Sequence, residues 1–96
     1  MLTRQAWGQI ARSLGLSARE LQIVRGVFDD KTEFAIAEDL GISPHTIHTH
    51  FGRLHRKLGV ATRTGLVLRI TSQCLGLVTA RQNQMRFSLS PALSPD

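Results

Sequence analysis

The sequence predicts an all-α fold, a bundle of short amphipathic helices. Apolar residues recur at spacings of three and four along most of the chain, which is the period of a helix face that packs on a core. Residues that cap helix N-termini precede these runs, and glycines that end helices follow them at Gly15, Gly41 and Gly59. We see no credible strand in the sequence, so we predict helices alone.

The composition suits one small domain. The 96 residues are 42% hydrophobic, which is typical of a globular fold and excludes a wholly disordered chain. Cys74 is the single cysteine, which excludes an intramolecular disulfide bond and is typical of a buried thiol in a reducing compartment. There is no run of about eighteen apolar residues and no signal-peptide pattern, so we expect a cytoplasmic protein without membrane contact.

The first predicted helix spans residues 3–14, and Gly15 follows as its stop. Its apolar residues have helical spacing: Ala6, Trp7, Ile10, Ala11 and Leu14. Trp7 is the only tryptophan of the chain. Because its ring can bury a large apolar area, we expect it in the core rather than stacked on a ligand.

Capping signals define the second and third predicted helices. Ser17 and Glu20 have the spacing of a capping box at the start of the second helix. This helix should end near Asp29, because a pair of aspartates at a helix C-terminus opposes the macrodipole. Thr32 is placed to cap the third helix, which we predict over residues 33–40.

The fourth predicted helix, residues 44–58, has a strong signal at each end. Ser43 is placed as its N-cap, Pro44 fits the first helical position, and Gly59 follows as its stop. A turn of about three residues that contains Gly41 joins it to the preceding helix. Two helices joined in this way form a helix-turn-helix, in which the second helix enters the major groove of DNA.

The two faces of this helix differ in chemistry. Four apolar residues form one stripe: Ile47, Phe51, Leu54 and Leu58. Small, polar and basic residues lie opposite and at the flanks: His45, His48, Thr49, Gly52, Arg53 and Arg56. A solvated face normally mixes charges of both signs, so a face without acids indicates a negative partner such as nucleic acid. The wider distribution agrees, because residues 1–40 hold five basic and six acidic side chains, whereas residues 41–95 hold seven basic and none acidic.

The last predicted helix begins after the cap Thr62 and extends to about residue 75 or beyond. Its inner apolar face consists of Leu66, Val67, Ile70 and Cys74. Leu68 and Leu75 lie seven positions apart on the opposite side. They are either surface leucines, exposed or in contact with the first helix, or the interface of a dimer.

The C-terminal residues predict a flexible tail. They are rich in glutamine, asparagine and serine and include two serine–proline pairs. The chain therefore divides into an N-terminal amphipathic helix, residues 1–15, a helix-turn-helix DNA-binding domain, residues 16–78, and a flexible tail, residues 79–96.

Four ordered motifs resemble the LuxR-type (GerE-like) DNA-binding domain. They are LSARE at residues 16–20, IAEDLGIS at 36–43, TIHTH at 46–50 and RKLGV at 56–60. The resemblance covers about residues 16–75 and implies a tetrahelical helix-turn-helix bundle, here with one extra N-terminal helix. It also implies a bacterial transcription regulator that binds double-stranded DNA as a homodimer, with residues 44–58 as the recognition helix and the last helix as the dimer interface. RNA polymerase is a further candidate partner.

The chain departs from the family pattern at several positions. Phe34 and Ala35 stand where the family usually has a lysine and a glutamate, and Gly65 replaces a frequent glutamate in the last helix. Gly52 replaces a long polar residue on the recognition face, and a glycine inside a helix costs about 1 kcal/mol relative to alanine. Either Gly52 lets the helix lie closer to the bases, or the chain contacts DNA through fewer side chains. Family members usually carry another domain ahead of this module, for which the N-terminal segment is too short, so we interpret the chain as a stand-alone regulator or a fragment.

Nine residues are predicted to bind DNA: eight side chains form two groups, and Gly52 lies on the same face. Base-edge contacts are assigned to His45, His48, Thr49 and Arg53. Arginine can pair with guanine, threonine offers a hydroxyl and a methyl group, and histidine can donate to guanine or phosphate. Contacts with the DNA backbone are assigned to Ser43, Thr46, Arg56 and Lys57, together with the free N–H groups at the helix start. His50 lies beside the apolar stripe, and we expect it to pack within the protein.

Other functions fit the sequence less well. A zinc site at His45, His48 and His55 would need ligands about 15 Å apart along the helix, with no cysteine or carboxylate near in sequence, so we expect no metal and no cofactor. An enzyme would need a nucleophile with a base, or paired acids in a pocket, which so short a chain has little room to build. A protein-binding module that keeps the fold without binding DNA remains an alternative, favoured by Gly52 and by the balanced charge of residues 16–60.

Overall fold

Five α-helices and no strand make up the part of the chain that the computed structural model describes, which is residues 3–89, with side chains as far as residue 77. They are α1 (Arg4–Leu14), α2 (Ala18–Phe28), α3 (Glu33–Leu40), α4 (Pro44–Leu58) and α5 (Arg63–Leu89). The predicted all-α fold is confirmed. The first four helices begin and end within about one residue of the positions that the capping signals indicate.

Local hydrogen bonds set these boundaries. Each of four N-cap hydroxyls accepts from the backbone N–H three residues further on, at 3.0 to 3.1 Å: Thr3, Ser17, Thr32 and Ser43. Glu20 completes the predicted capping box of α2 by accepting from the backbone N–H of Ser17 at 2.8 Å. Three glycines end α1, α3 and α4 with φ of 68 to 69°: Gly15, Gly41 and Gly59. This left-handed conformation costs glycine nothing and strains a residue with a Cβ, so the stop signals act as predicted.

One hydrophobic core joins all five helices. Its buried side chains are Trp7, Ile10, Ile23, Val24, Val27, Ile36, Ala37, Ile47, Phe51, Leu54, Leu58, Leu66 and Ile70. The whole predicted apolar stripe of α4 belongs to this core. Trp7 is 6% exposed, and its ring meets the Phe28 ring edge to face with 5.2 Å between centroids, so its predicted core position is confirmed. Helix α1 is therefore part of the folded unit and not an appendage to it.

Helix α5 is longer than the sequence indicates. Its backbone is helical as far as Leu89, so the flexible tail expected from residue 79 is corrected over residues 79–89. Alanine, arginine, glutamine and methionine in this stretch have high helix propensity, and no glycine or proline interrupts it before Pro91. Residues 90–96, which contain both serine–proline pairs, lie outside the described residues.

The turn between α3 and α4 decides which face of α4 is exposed. Gly41 and Ile42 donate their backbone N–H groups to the last turn of α3, at 3.2 and 3.0 Å, immediately before Ser43 caps α4. Ile47 and Leu54 are fully buried and hold the apolar stripe of α4 in the core. The opposite face of α4 is thereby turned to solvent. Over residues 3–89, no helix combines the length and the apolarity needed to cross a bilayer.

Candidate nucleic-acid interface

The structure brings all nine predicted DNA-binding residues to the exposed surface of α4 and its N-cap. They are Ser43, His45, Thr46, His48, Thr49, Gly52, Arg53, Arg56 and Lys57. The apolar stripe determines this result, because burying it leaves the polar side of an amphipathic helix in solvent. We define the recognition face as these residues without Lys57, whose ammonium group is bound within the protein as described below.

The hydroxyl groups of the recognition face are held by local hydrogen bonds. The Ser43 hydroxyl accepts from the Thr46 backbone N–H at 3.1 Å and lies 2.8 Å from the Thr46 hydroxyl. Thr49 donates its hydroxyl proton to the backbone carbonyl of His45, at 3.1 Å. Its oxygen lone pairs are then left for a partner, so Thr49 presents an acceptor and a methyl group. Such a surface suits a base amino group or the methyl group of thymine.

Arg53 and Arg56 provide the positive charge of the recognition face. Both side chains are exposed, and within the described part of the chain neither forms an ion pair with an acid. An exposed guanidinium group that the protein does not neutralise is available to bind a phosphate or a guanine edge in a bidentate manner.

Lys57, which the sequence assigns to the DNA backbone, makes two polar contacts within the protein. Its ammonium group donates to the backbone carbonyl of Gly15 at 2.7 Å and to the carboxylate of Glu20 at 2.8 Å. The Lys57 side chain is 40% exposed and that of Glu20 only 15%. The positive charge of Lys57 is therefore balanced inside the protein, and the pair fastens the C-terminal end of α4 to the connection between α1 and α2.

The environment of Glu20 favours its charged form. Its partial burial acts to raise the pKa of the carboxyl group. Hydrogen bonds from Lys57 and from the Ser17 backbone N–H act in the opposite direction, as does the attraction of the Lys57 charge. The net effect is a pKa below the ordinary value of 4.5. The tether between Lys57 and Glu20 is consequently an ion pair at neutral pH.

Gly52 leaves open space on the recognition face. A Cβ atom built at this position would meet nothing within 4 Å outside its own helix turn, and the backbone has no positive φ there. Among the described residues, neither packing nor backbone conformation requires glycine at this point. The two interpretations that the sequence allows, a closer approach to the bases or fewer contacts with them, both remain consistent with this geometry.

The four histidines lie in different environments. Nδ1 of His48 lies 3.4 Å from a carboxylate oxygen of Glu33, and His45 is exposed. His50 is half-buried, as its position beside the apolar stripe predicts. His55 is also half-buried, with its ring 6.0 Å from that of Phe51 and its Nε2 atom buried without a hydrogen-bond partner among the described residues. Among those residues no three histidine, cysteine, aspartate or glutamate side chains gather into a possible metal site.

The outer side of α5 carries the two leucines that the sequence singles out. Leu68 and Leu75 are each 63% exposed, whereas Leu66 and Ile70 on the inner side are fully buried. Because the two outer leucines remain in solvent, they do not serve as the contact between α5 and α1. They form an exposed apolar strip on the outside of α5.

Two interactions at this surface were not foreseen from the sequence. One is the contact of His48 with Glu33, which are 15 positions apart, and the other joins Lys57 to Glu20 and Gly15, which are 37 and 42 positions away. No periodic pattern links residues at such separations, because each pair is brought together by the packing of two different helices.

An exposed helix without acids that follows a supporting helix and a glycine turn is the arrangement of a helix-turn-helix. Residues 9–70 match the family model described as bacterial regulatory proteins of the luxR family. The chain therefore belongs to the LuxR family, and the resemblance of its motifs is confirmed. The match begins inside α1 and ends inside α5, so it includes the whole helix-turn-helix.

Curated relatives agree with the family match. The chain is 38% identical over 60 residues to proteins named "Probable transcriptional regulatory protein NarL" from two strains of Mycobacterium tuberculosis, CDC 1551 / Oshkosh and ATCC 25618 / H37Rv. The aligned region covers 62% of this chain and 28% of each relative, so the chain spans much less than the length of these proteins. No solved structure matches the chain.

Proposed function

We propose that this protein binds specific sequences of double-stranded DNA as a homodimer and thereby regulates transcription, with α4 lying in the major groove. The observation that carries the proposal is the recognition face, an exposed, acid-free helix surface that follows the turn of a helix-turn-helix in a chain of the LuxR family. A major groove is wide enough to admit an α-helix and presents a distinct pattern of donors and acceptors for each base pair.

The roles on the recognition face divide according to chemistry. Arg53, Thr49 and His48 lie on the exposed middle turns of α4, and we assign them to base edges, with His45 beside them. Ser43 and Thr46 lie at the helix N-terminus, where free N–H groups and the helix dipole favour a phosphate. Arg56 lies one turn beyond Arg53 and is assigned to the DNA backbone, which positions the helix without specifying sequence.

The dimer is assigned to α5. Leu68 and Leu75 form an apolar strip with heptad spacing, which is the spacing of residues at a seam between paired helices. A two-fold dimer would present two copies of α4 to two half-sites, and half-sites of this kind lie about one helical turn of DNA apart, roughly 34 Å.

The first test is fluorescence anisotropy of the purified chain with random-sequence duplex DNA at increasing salt. Phosphate contacts release counterions, so the logarithm of the affinity should fall linearly with the logarithm of salt concentration, with a slope of about 0.9 for each contact. Arg56→Ala should reduce this slope by about one. Arg4→Ala, which removes an exposed arginine outside the matched region, is the control and should leave the slope unchanged.

The same test distinguishes the alternative function. A protein-binding module of the same fold would remain helical and would not bind duplex DNA even at low salt. The internal use of the Lys57 charge and the missing side chain at Gly52 are the observations that favour this alternative. A negative result counts against DNA binding only if circular dichroism in the same buffer shows that the protein is folded.

A further inference from the structure

We propose that Glu33 is a positioning residue for base recognition, which holds the His48 ring so that its Nε2 atom faces the DNA. This inference rests on the proposed function. Glu33 lies outside the recognition helix, on the supporting helix α3. Its contact gives His48 a preference for one class of base edge that the sequence leaves undefined.

The geometry is a contact across the helix-turn-helix. Glu33 is the first residue of α3 and His48 lies in the second turn of α4, and the carboxylate oxygen of Glu33 is 3.4 Å from Nδ1 of His48. An ionised carboxylate can only accept, so Nδ1 must carry the proton in this contact. The nitrogen that remains available to a partner is Nε2.

The exposure of the two side chains shows that the His48 ring stays accessible to a partner while it contacts Glu33. Glu33 is 46% exposed and His48 is 80% exposed. Within the described residues no other polar contact to the His48 ring is present. Glu33 is therefore the group that biases both the orientation of this ring and the position of its proton.

The consequence is a preference for one class of base edge. In a neutral ring with its proton on Nδ1, Nε2 is an acceptor. In the major groove, acceptors pair with the exocyclic amino groups of adenine and cytosine, whereas guanine and thymine offer acceptors of their own at O6, N7 and O4. The orientation set by Glu33 thus points to adenine or cytosine opposite His48, in place of the donation to guanine or phosphate that the residue type alone suggests.

A carboxylate beside DNA also has a general effect, which the experiment must separate from positioning. Its negative charge repels phosphates, so removing it should strengthen binding to every sequence alike. Positioning instead changes the ratio of affinities between two sequences that differ at one base pair. The two effects are separated by replacing the acceptor and the charge independently.

The experiment uses a site selected from random duplexes by the wild-type protein, and single-base variants of that site, at pH 8, where histidine is ordinarily neutral. Glu33→Ala removes both charge and acceptor, and Glu33→Gln removes the charge but keeps an acceptor oxygen. We expect Glu33→Ala to reduce the ratio of affinities for two sites that differ at one base pair by roughly two- to fivefold, which is the effect of losing one exposed ion pair. Glu33→Gln should retain most of this ratio. The His48→Ala variant should lose the same discrimination, and adding Glu33→Ala to it should have no further effect.

Glu38→Ala is the matched control, because it removes one exposed carboxylate from the same helix and its side chain has no polar partner among the described residues. It should leave the discrimination unchanged. Nitrogen-15 NMR of the His48 ring gives a second measurement without DNA, in which the neutral wild-type ring should carry its proton on Nδ1 and the Glu33→Ala ring should lose this preference.

Three results would overturn the proposal. The first is an unchanged base preference in Glu33→Ala. The second is an equal loss of discrimination in Glu33→Ala and Glu33→Gln, which would show that an acceptor oxygen at position 33 does not hold the ring. The third is a wild-type ring without a proton preference for Nδ1. Failure of the wild-type protein to bind any duplex would instead reject the proposed function, and the NMR measurement would still decide whether Glu33 positions the ring.

Discussion

Replacing Gly52 with alanine should make the protein more stable. Gly52 lies in the middle of α4, is exposed, and has space for a Cβ atom with no neighbour within 4 Å. Alanine should therefore gain the full propensity difference, about 0.5 to 1 kcal/mol, without a steric cost. For a domain of this size, 1 kcal/mol corresponds to about 4 to 8 °C in the midpoint of thermal unfolding, which circular dichroism measures readily.

Two other glycines of the chain provide controls. Gly76→Ala in α5 also places a Cβ where nothing lies within 4 Å, and it should give a gain of similar size. Gly26→Ala in α2 should be destabilising, because its Cβ would lie 2.7 Å from Cγ1 of Ile36. A Gly52→Ala protein that is less stable than the wild type, while Gly76→Ala gains stability, would refute the conclusion that space around Gly52 is open.

The DNA affinity of Gly52→Ala then decides between the two interpretations of this position. If α4 lies closer to the bases at Gly52 than a side chain permits, the added methyl group should weaken binding to the selected site although the protein is more stable. If Gly52 only removes a contact, binding should remain within about twofold of wild type. Gly76→Ala, which lies on another helix, should leave binding unchanged in either case.

The remaining predictions concern the base contacts, the tether and the dimer. Arg53→Ala should weaken a selected site by about 1 to 3 kcal/mol and relax the preference at one base position, and an equal loss on random DNA would refute a base-edge role. Lys57→Met should cost about 1 kcal/mol of folding free energy, measured by urea unfolding at pH 7, since it removes the charge partner of Glu20. Because the folded-state pKa of Glu20 is lowered, the stability from this pair is complete above the ordinary pKa of 4.5 and is lost as pH falls through the lower value, so the difference from wild type should shrink in acid. Changing both Leu68 and Leu75 to glutamate should leave the circular dichroism spectrum intact and lower the sedimenting mass, and an unchanged mass would reject the α5 interface.

The tether changes how a substitution at Lys57 should be interpreted. From the sequence, Lys57 belongs with the phosphate contacts, and its removal would weaken binding to all DNA alike. In the structure its ammonium group is bound to Glu20 and Gly15, so we expect its effect on DNA to follow from a less firmly held α4. The Glu20→Gln variant separates the two possibilities, because it removes the charge partner of Lys57 and keeps the lysine itself.

The sequence by itself determined the helices and the recognition face. Capping side chains accept from backbone N–H groups in the first turn of the helix that follows them, and the glycine stops donate to carbonyl groups in the last turn of the helix that precedes them. The ends of α1 to α4 therefore depend on neighbours only a few residues away. The stripe from Ile47 to Leu58 then fixed which face of α4 is buried and which is exposed. The family was indicated by the resemblance of four motifs and is shown by the match over residues 9–70.

Only the tertiary structure decided which charged groups are free and which are paired. Lys57 and Arg56 are neighbours in sequence and look equivalent there, yet one is bound to Glu20 and the other is exposed without an ion pair among the described residues. Glu33 gave no signal that it would reach His48. The partner of a charged side chain depends on how the helices pack, and packing brings together residues at separations that no sequence pattern predicts. The free charges of the recognition face could therefore be identified only from the folded chain.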